Sequence, residues 1–418
     1  MNNNSKPLRV LCLSQRFLFP MDTGGKIRTG KILEQLKNHF SVTVISNVER
    51  PKDEPYLGEM RRLCDKFVPV PWVEVKRFTP RFYWKIFKQS FSRYPISMLN
   101  DYSLELEAAI LDELASEPYD MAICDFLQST LNFTKVRDIP LALFQHNVET
   151  TIAKRHLEKS KDPVSKLFWE LQYRKMFHHE RAMCHRFNGI IAVSEQDKAR
   201  MERWFGAKNV HAIPTGVDTD YYLPRPDLPQ KSQLVFVGGM DWLPNEDAMF
   251  FFIRQIFPLI QKEIPGVKLK IVGRNPSPRF LKFIEQNQDV EATGWVADTR
   301  PHIAESAVCV VPIRIGGGTR MKIYEAMAMG KAVVSTTVGA EGLPLAHGEQ
   351  ILLADDPKMF ADQVTRLLKH PNERRNLEGN ARRYVHENFR WEKVAEVFVE
   401  ICTQLVGKPS HSIPLSCV

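Results

Sequence analysis

Short runs of apolar residues alternate with longer segments of helical periodicity along almost the whole chain. In the first half the runs lie at residues 8–13, 42–46, 67–70, 121–125, 141–145, 189–193 and 210–214. In the second half they lie at residues 234–238, 267–273, 307–312 and 331–336. Strands that alternate with helices are typical of parallel sheets with helices on both faces. The pattern therefore predicts an α/β protein built from doubly wound sheets.

Residues 215–233 are rich in proline and polar side chains and have no clear periodicity, which is typical of a linker. We therefore expect an N-terminal Rossmann-like domain at residues 1–215 and a second at residues 216–388. Residues 389–407 have the pattern of one amphipathic helix, and residues 408–418 are expected to be a disordered tail.

The composition is that of an ordinary globular protein. The 418 residues are 44% hydrophobic and 25% charged, which suits two domains. Seven cysteines are scattered without a CxxC pair, so a reduced cytoplasmic protein is favoured over a disulfide scaffold or a zinc module. No run of about 18 apolar residues occurs, so no segment is expected to span a membrane. The net charge of +8 is compatible with nucleic acid, an anionic membrane, phosphorylated substrates or a solvated basic surface.

Three glycines precede a predicted helix that carries two cations in its first turn. In the stretch RIGGGTRMKIYEAMAMGKAVVST, Gly316, Gly317 and Gly318 are followed by Arg320 and Lys322. A helix N-terminus already has a partial positive charge, so acidic residues are the usual choice there. The cations indicate an anion in front of the glycines, and a phosphate or pyrophosphate held by backbone N–H groups is the obvious candidate.

A second loop repeats this design after the first predicted strand. There Gly24 and Gly25 are followed by Lys26 and Arg28, although an ordinary turn before a surface helix has the same pattern. Doubly wound sheets bind ligands at the carboxyl ends of their strands, and two facing sheets create a cleft. We expect both glycine loops to lie there.

Other nucleotide enzymes are disfavoured because their motifs are missing. The first strand–helix turn has no GxGxxG, and the chain has no GxxxxGK[ST]. Asp218-Thr219-Asp220 resembles a metal-binding DxD, but it lies in the predicted linker and is interpreted as turn chemistry. The sequence therefore predicts no cofactor and no metal site.

The motifs together resemble the retaining glycosyltransferases of family four, especially those associated with bacterial exopolysaccharide clusters. The resemblance covers residues 8 to about 400. It is carried by the glycine pair of the first loop and by QHNVE (145–149), IPTGVD (213–218), VGRNPSP (272–278) and GGGTRMKIYEAMAMGKAVVST (316–336). It implies the GT-B fold, in which two Rossmann-like domains face each other and the C-terminal helix returns towards the first. The second domain would hold the nucleotide sugar, and the first the acceptor.

The resemblance also assigns roles to residues of the longest motif. Glu325 matches the second of the family's two motif glutamates and is expected to accept hydrogen bonds from the ribose hydroxyls. An i,i+3 surface pair with Lys322 is the alternative interpretation of Glu325. The first motif glutamate falls at Gly317, so this chain departs from the family there. The glycine loop, with Arg320 and Lys322, is then expected to approach the diphosphate or the sugar, and Thr319 is expected among the donor-binding residues.

A second departure concerns the leaving group. Many family members carry an Arg and a Lys after the first strand of the second domain, whereas here GGMDWLPNED (238–247) has no cation. Because expulsion of a nucleoside diphosphate requires positive charge, Arg320, Lys322 and Arg274 are the candidates to replace that pair. Arg274 could equally be an exposed loop arginine.

Two further positions are assigned by the resemblance. His146 follows the strand at residues 141–145, and the family's matching histidine contacts the donor sugar near the reacting carbon; a structural histidine is the alternative. Backbone atoms near Gly294, Trp295 and Val296 are expected to recognise the base.

The reaction implied is transfer of a sugar from a nucleoside diphosphate to an acceptor hydroxyl with retention of configuration, without a protein nucleophile and without a divalent metal. A nucleotide-sugar 2-epimerase of the same architecture is the first alternative. A non-enzymatic protein that binds anions or membranes is the second, whereas a nucleic-acid partner is not expected because no such motif occurs.

Residues 76–95 interleave six cations with seven aromatic residues. Such a segment could rest on the anionic inner face of the plasma membrane and present a lipid-linked glycan acceptor. A partly buried helix with its cations on a wet face is the alternative.

Overall fold

The computed structural model describes residues 7–73, 79–160, 162–228, 230–315 and 321–407. The chain forms two compact units. Unit 1 contains the described residues up to Pro214 and those from Val394 onwards, and unit 2 contains Thr215–Lys393. In the described ranges, no helix is both long enough and apolar enough to cross a membrane.

Among its described residues, unit 1 contains a seven-stranded parallel sheet in the order β3-β2-β1-β4-β5-β6-β7. Its central strands are buried on both faces, as expected for a sheet covered by helices. The strands are β1 (Arg9–Ser14), β2 (Ser41–Val48), β3 (Lys66–Pro71), β4 (Met121–Asp125), β5 (Leu141–Gln145), β6 (Gly189–Ala192) and β7 (Val210–Ala212).

The helices of unit 1 connect these strands. They are α1 (Gly24–Leu36), α2 (Leu57–Arg62), α3 (Pro80–Ser90), α4 (Ile96–Asp101), α5 (Leu104–Ser116), α6 (Glu149–Lys159), α7 (Pro163–Arg186) and α8 (Glu195–Phe205), with 3-10 turns at Glu54–Tyr56 and Leu127–Phe133. Both ends of α8 carry residue types that commonly cap helices. Ser194 accepts a hydrogen bond from the backbone of Asp197 at its start, and Gly206 ends the helix in the left-handed region.

In the described part of unit 2, six parallel strands form a second sheet in the order β10-β9-β8-β11-β12-β13. The strands are β8 (Lys231–Val237), β9 (Lys268–Val272), β10 (Val290–Ala292), β11 (Ser306–Val311), β12 (Ala332–Ser335) and β13 (Leu352–Leu353). The helices are α9 (Leu243–Phe251), α10 (Phe257–Glu263), α11 (Pro278–Ile284), α12 (Arg300–Glu305), α13 (Met321–Ala328), α14 (Pro357–Lys369) and α15 (Pro371–Asn388), with a π-helical turn at Phe252–Ile256.

Each sheet reverses its strand order once, between β1 and β4 in unit 1 and between β8 and β11 in unit 2. Ligands of doubly wound sheets bind outside the carboxyl ends of the strands at such a reversal. The side chains that follow β1, β4, β8 and β11 therefore lie where a ligand is expected.

The segment predicted as a linker starts at the boundary between the two units and is packed onto unit 2. Residues 231–233 already belong to β8, and Val217 is buried in the core of unit 2, where it pairs with Arg390 in an isolated parallel bridge. Val217 and the partly buried Tyr222 cover apolar area there, which the polar composition of the segment conceals.

The last helix, α16 (Trp391–Val406), begins in unit 2 and continues in unit 1. Just before it, Phe389 stacks on Tyr324 of unit 2 at 4.5 Å between ring centroids. Further along, Phe398 packs edge-on against Phe144 of unit 1 at 5.2 Å. The tail predicted to be disordered, residues 408–418, lies outside the described residues.

Candidate functional site

Two cations meet at the carboxyl end of β8, although the sequence after β8 contains none. Lys322, in the first turn of α13, donates a hydrogen bond from Nζ to Oδ1 of Asn245 at 3.0 Å. A Cβ added to Gly238 would lie 2.5 Å from that Nζ. The absence of a side chain at Gly238 therefore makes room for the ammonium group directly against the end of the strand.

Arg274 reaches the same loop from β9. Its Nε lies 3.3 Å from Oδ2 of Asp241, and its carbonyl accepts a hydrogen bond from the backbone N–H of Met240 at 2.8 Å. The Arg274 side chain is 44% exposed, so its ion pair with Asp241 is weak and open to exchange with another anion.

The β8 and β9 loops touch so closely that glycine is required between them. A Cβ at Gly273 would lie 1.9 Å from the backbone oxygen of Gly238, which no rotation of a side chain could relieve. This contact holds the loop that bears Arg274 against the glycines beside Lys322. Both side chains are thus positioned at one strand end by backbone packing.

Glu325 lies one turn after Lys322 on α13 and is half-buried. Burial raises the pKa of its carboxyl, while a hydrogen bond from the Tyr222 hydroxyl and the charge of Lys322 lower it. Burial, together with the neighbouring carboxylate, raises the pKa of Tyr222. A carboxylate held in this way can accept hydrogen bonds from two vicinal hydroxyls.

Val296 follows β10, next to β9, and packs its side chain against the core of unit 2. The loop before it turns at Gly294, which has φ of +71°, and the Trp295 side chain is 74% exposed. The contact between Val296 and the core therefore holds the backbone of this loop in place within unit 2.

The remaining predicted residues of unit 2 lie outside the described part of the chain. These residues are Gly316, Gly317, Gly318, Thr319 and Arg320. Their roles stay predictions.

In unit 1, the first glycine loop opens α1 as expected, with Gly24 as the first helical residue. Gly25 is pressed against Phe126, because an added Cβ would lie 2.6 Å from its Cζ. The two cations of this loop diverge: Lys26 pairs with Asp22 at 3.4 Å, whereas Arg28 is buried inside the unit.

His146 lies in a buried polar network at the carboxyl ends of β1, β4 and β5. Its Nε2 is 2.8 Å from Oδ1 of Asp125, and its Nδ1 is 3.1 Å from Nη1 of Arg28. Asp125 also accepts hydrogen bonds from Thr29 at 3.0 Å and from Ser14 at 3.3 Å. Among the described residues, then, both ring nitrogens of His146 have partners within unit 1.

The partners of His146 determine its tautomer. A guanidinium can only donate, so Nδ1 must accept from Arg28, and the ring proton is on Nε2, where it is donated to Asp125. Burial lowers the pKa of His146, and although Asp125 opposes this effect, the Arg28 charge adds to it. The ring also stacks on Phe126 at 3.9 Å. His146 is therefore held neutral and rigid, with its nitrogens turned into the protein.

Sequence reasoning missed several partners of the predicted residues. These partners are Tyr222, Asn245, Asp125 and Thr29. Tyr222 lies in the segment that was interpreted as a linker. Asn245 lies in the loop after β8, which attracted notice only because it contains no cation. Asp125 ends a strand, a signal that could have identified it.

The aspartates of the DxD-like stretch form a turn, as interpreted from the sequence. Oδ1 of Asp218 accepts a hydrogen bond from the backbone N–H of Tyr221 at 2.9 Å. Across the described residues, no group of three or more His, Cys, Asp or Glu side chains is arranged to hold a metal ion.

Two family models match the chain, one in each unit. The model described as Glycosyltransferase Family 4 matches residues 29–221, and the model described as Glycosyl transferases group 1 matches residues 231–370. A relative from Klebsiella pneumoniae, described as an uncharacterized 44.6 kDa protein in cps region, is 24% identical over 68% of this chain and 75% of its own length.

Solved glycosyltransferases share the fold. Sucrose-phosphate synthase from Thermosynechococcus elongatus superposes with a TM-score of 0.68 at 18% identity, over 96% of this chain and 99% of that one. The Anabaena protein HepE, solved in complex with UDP and glucose, superposes with a TM-score of 0.63 at 13% identity, over 95% and 100%. The predicted α/β fold of GT-B type is thereby confirmed.

Proposed function

Because this chain belongs to the family 4 glycosyltransferases and has their GT-B fold, we propose that it transfers a sugar from a nucleoside-diphosphate sugar to an acceptor hydroxyl with retention of configuration. We further propose that it acts in the assembly of a bacterial exopolysaccharide or another surface glycan. The relative from a cps region supports that setting.

The observation that carries the donor assignment is the meeting of Lys322 and Arg274 at the Gly238–Gly239 loop. This loop lacks the cations that many family members have after the first strand of the second domain. Lys322 reaches the end of β8 from α13, and Arg274 reaches it from β9. Two cations from other parts of unit 2 thus lie beside the end of β8, which supports their proposed role in place of that pair.

In the proposed reaction, Lys322 and Arg274 stabilise the negative charge that develops on the departing diphosphate. Glu325 accepts hydrogen bonds from the ribose, and the loop at Val296 contacts the base with backbone atoms. Attack comes from the face that the diphosphate leaves, and a phosphate oxygen of the donor helps to deprotonate the acceptor. The protein contributes orientation and charge, and the scheme requires no divalent metal.

The role of His146 is proposed in a modified form. Since both ring nitrogens are bonded to Asp125 and Arg28, the imidazole is suited to fixing the loop after β5 beside the reacting sugar. A direct hydrogen bond from the ring to the sugar would require one of those two contacts to open.

Calorimetric titration with UDP, GDP, ADP and dTDP tests the donor site. We expect one nucleotide to bind with micromolar affinity, and Lys322→Ala and Glu325→Ala each to weaken it by about tenfold or more. Lys282→Ala, which removes an exposed lysine on α11, is the matched control and should bind like the wild type. If none of the four nucleotides binds, the proposal is wrong.

Incubation with the donor alone separates transfer from epimerisation. An epimerase would release an altered sugar without an acceptor, whereas the transferase should leave the donor unchanged until an acceptor is added. NMR of the product then gives the anomeric configuration, and inversion would contradict the retaining mechanism. The same assay with EDTA checks metal independence, for which the expected result is an unchanged rate.

We also propose that the surface around α3 contacts an anionic membrane and so gives access to a lipid-linked acceptor. Four aromatic rings in and just after this helix are more than half exposed: Tyr83, Trp84, Phe87 and Phe91. Lys88 lies over the Trp84 ring at 5.2 Å, which places a cation beside the aromatic face. Exposed aromatic rings flanked by cations suit the interface of an anionic bilayer.

A second exposed apolar face lies on α7 of the same unit. Val164, Leu167 and Leu171 follow one face of α7, and the first two are more than 70% exposed. One turn further along, Lys175 donates a hydrogen bond to the carbonyl of Ser90, the last residue of α3, at 2.8 Å. This bond joins α7 to the end of α3, and we propose that the exposed face of α7 adds to the membrane contact.

Vesicle sedimentation tests this contact. We expect binding to phosphatidylglycerol vesicles that weakens with salt, little binding to phosphatidylcholine vesicles, and loss of binding in Trp84→Ser/Phe87→Ser. Met359→Ser, which alters an exposed residue of α14, is the control. Absence of binding to anionic vesicles at low salt would rule out the membrane contact and leave the transferase proposal intact.

A further inference from the structure

Phe126 follows β4 at the carboxyl edge of the unit 1 sheet and has a backbone conformation that is rare for its residue type. Its φ is +68° and its ψ is +144°, a combination that is found almost only in glycine. A Cβ at this φ crowds the backbone, so the conformation lowers stability and persists only where other contacts hold it. Backbone strain of this kind clusters at functional sites.

Three hydrogen bonds hold the strained backbone in place. The N–H of Phe126 donates to the carbonyl of Phe144 on β5 at 2.9 Å. The carbonyl of Phe126 accepts from the N–H of Ser129 at 3.2 Å and from Sγ of Cys124 at 3.6 Å. Both backbone polar groups of Phe126 are therefore bonded in this conformation, and a return to an ordinary φ would have to disrupt these bonds.

The ring of Phe126 touches two residues that the sequence predicted to be functional. One face stacks on His146, with 3.9 Å between the ring centroids and 8° between the planes. The tip of the ring points at Gly25, because a Cβ added there would lie 2.6 Å from Cζ and 3.5 and 3.6 Å from the two Cε atoms. The ring is therefore a spacer between the imidazole and the glycine pair that opens α1.

This stack complements the polar contacts of His146. The hydrogen bonds to Asp125 and Arg28 fix the directions of the ring nitrogens, whereas the flat contact with Phe126 fixes the tilt of the imidazole. Phe144 meets the imidazole at 4.3 Å between centroids, but at an angle of 47°. Of these two aromatic neighbours, Phe126 is the one that lies parallel to the imidazole.

A ring that only filled space would not need this backbone. Phe126 is half-buried, so it gains only part of the hydrophobic stabilisation that a fully buried phenylalanine provides, and it carries strain as well. Both features reduce stability. They are explained if the placement of the ring serves the site.

We propose that Phe126 is a positioning residue of the sugar transfer. Its strained backbone holds the ring against His146, and the length of the ring sets the distance from the imidazole to the glycine pair at Gly25. The inference rests on the proposed function, which places the loop of His146 beside the reacting sugar. Phe126 acts through these two neighbours and needs no contact with the donor itself.

Phe126→Ala and Phe126→Gly separate the strain from the ring. Both variants lack the ring, but only alanine keeps a Cβ in the strained conformation. We therefore expect Phe126→Gly to unfold at a higher temperature than Phe126→Ala, although glycine usually lowers stability relative to alanine. Differential scanning calorimetry measures both temperatures. The reverse order would show that the backbone is not strained and would overturn the proposal.

The donor affinity of these two variants tests the positioning role. The probes are UDP-glucose, GDP-mannose, ADP-glucose and dTDP-glucose, each compared with its free nucleotide by calorimetric titration of the full chain. Because the displaced groups are those beside the sugar, both variants should bind the nucleotide sugar more weakly than the wild type by about tenfold or more, and the free nucleotide within about twofold. An equal change for both ligands, or no change for either, would overturn the inference.

Phe177→Ala is the matched control. It removes another half-buried ring of unit 1, which packs edge-on against Phe205 at 5.4 Å. We expect a lower unfolding temperature and unchanged affinities for the nucleotide and the nucleotide sugar. A loss of nucleotide-sugar affinity as large as that in Phe126→Ala would show that the effect follows from stability rather than from position, which contradicts the proposal.

Gly25→Ala tests the spacing directly. Its Cβ would collide with Cζ of Phe126, so this variant should bind the nucleotide sugar more weakly than the wild type. In Phe126→Leu the side chain ends short of that point, and the added methyl group fits. Gly25→Ala should therefore weaken binding less in the Phe126→Leu background, by about threefold or more. Gly58→Ala, whose Cβ would lie 4.0 Å from the nearest atom, is the control. Equal effects of Gly25→Ala in both backgrounds would show that the ring does not set the spacing.

Nucleotide binding by the wild type distinguishes this inference from the proposed function. If the wild type binds none of the four nucleotides, the proposed function is wrong, and the inference that rests on it is wrong too. If the wild type binds a nucleotide and Phe126→Ala keeps its full affinity for the nucleotide sugar, only the positioning role is contradicted.

Discussion

The carboxyl edges of the two sheets have the same architecture but arrange their charges differently. In unit 2, Lys322 and Arg274 converge on the Gly238–Gly239 loop, where Arg274 pairs with Asp241 and the charge of Lys322 acts on the carboxyl of Glu325. In unit 1, the described residues that line a cavity of about 690 Å³ at the carboxyl edge include four cations and four acids, and three pairs of them are in contact. The proposed function therefore assigns the departing diphosphate to the unit 2 edge.

Under the proposed function, the parallel sheet sets where a ligand binds, whereas the residues after each strand set what binds. Both sheets reverse their order once and leave a crevice at their carboxyl ends. In unit 2 the loops after β8 and β9 are rich in glycine, which admits cations from neighbouring elements. In unit 1 the corresponding positions carry amides and aromatic rings. The following predictions test this contrast.

The largest expected effect is that of Lys322→Ala on catalysis. Removing the ammonium group at the end of β8 should lower kcat/KM for sugar transfer by about 10²–10³-fold, as is typical for a group that stabilises a developing anion. Steady-state transfer assays with the donor identified by titration measure this effect. Lys322→Arg should recover part of the rate, because it keeps the charge. A loss of kcat/KM of less than about threefold in Lys322→Ala would show that this ammonium group does not stabilise the departing anion, and the role proposed for the unit 2 edge would be wrong.

Gly273→Ala should disrupt the packing that brings the two cations together. Its Cβ would lie 1.9 Å from the backbone oxygen of Gly238, so the β8 and β9 loops must separate. We expect the free energy of unfolding to fall by about 1–3 kcal/mol. Gly379→Ala, a helical glycine with no neighbour within 4 Å of the added Cβ, is the control and should be neutral or stabilising. Urea denaturation monitored by circular dichroism gives both values.

Nucleoside affinity should depend on pH through Glu325. Its pKa is raised above 4.5 by burial, so lowering the pH protonates it earlier than an exposed glutamate and removes an acceptor from the ribose. We expect binding of the nucleoside, which carries no phosphate to titrate, to weaken as the pH is lowered from 8 towards the raised pKa of Glu325. In Glu325→Gln the dependence on pH should disappear. An equal slope in both proteins would show that another group titrates.

The smallest effect concerns stability in unit 1. The folded state lowers the pKa of His146 below 6.5, so at acidic pH the unfolded chain binds a proton that the folded chain resists. Stability is therefore complete above about pH 6.5 and is lost as the pH falls towards the folded-state pKa, by at most about 1.4 kcal/mol per pH unit. His146→Gln should reduce this slope, whereas His39→Gln at an exposed position should not. Chemical denaturation at several pH values measures the slope.

The sequence by itself determined the strand–helix alternation, the α/β fold class and the family. The runs at residues 121–125 and 141–145 coincide with β4 and β5, because a strand buried on both faces is apolar in nearly every position; only the last residue of each is polar. The two-residue strand β13 was missed, because two residues are too few to establish a period.

Only the tertiary structure decided which side chains meet. Gly238 and Lys322 are 84 positions apart in the sequence, so their contact cannot be seen in any local pattern. Nothing near residue 238 in the sequence places an ammonium group at the end of β8. The tautomer of His146 likewise follows from Arg28 and Asp125, which come from two other elements. Local patterns encode burial and periodicity, whereas hydrogen bonds and charges act across a few ångströms of space between residues that are distant in sequence. The sequence therefore shows which residues each loop contains, whereas the fold decides which of their side chains form hydrogen bonds and ion pairs.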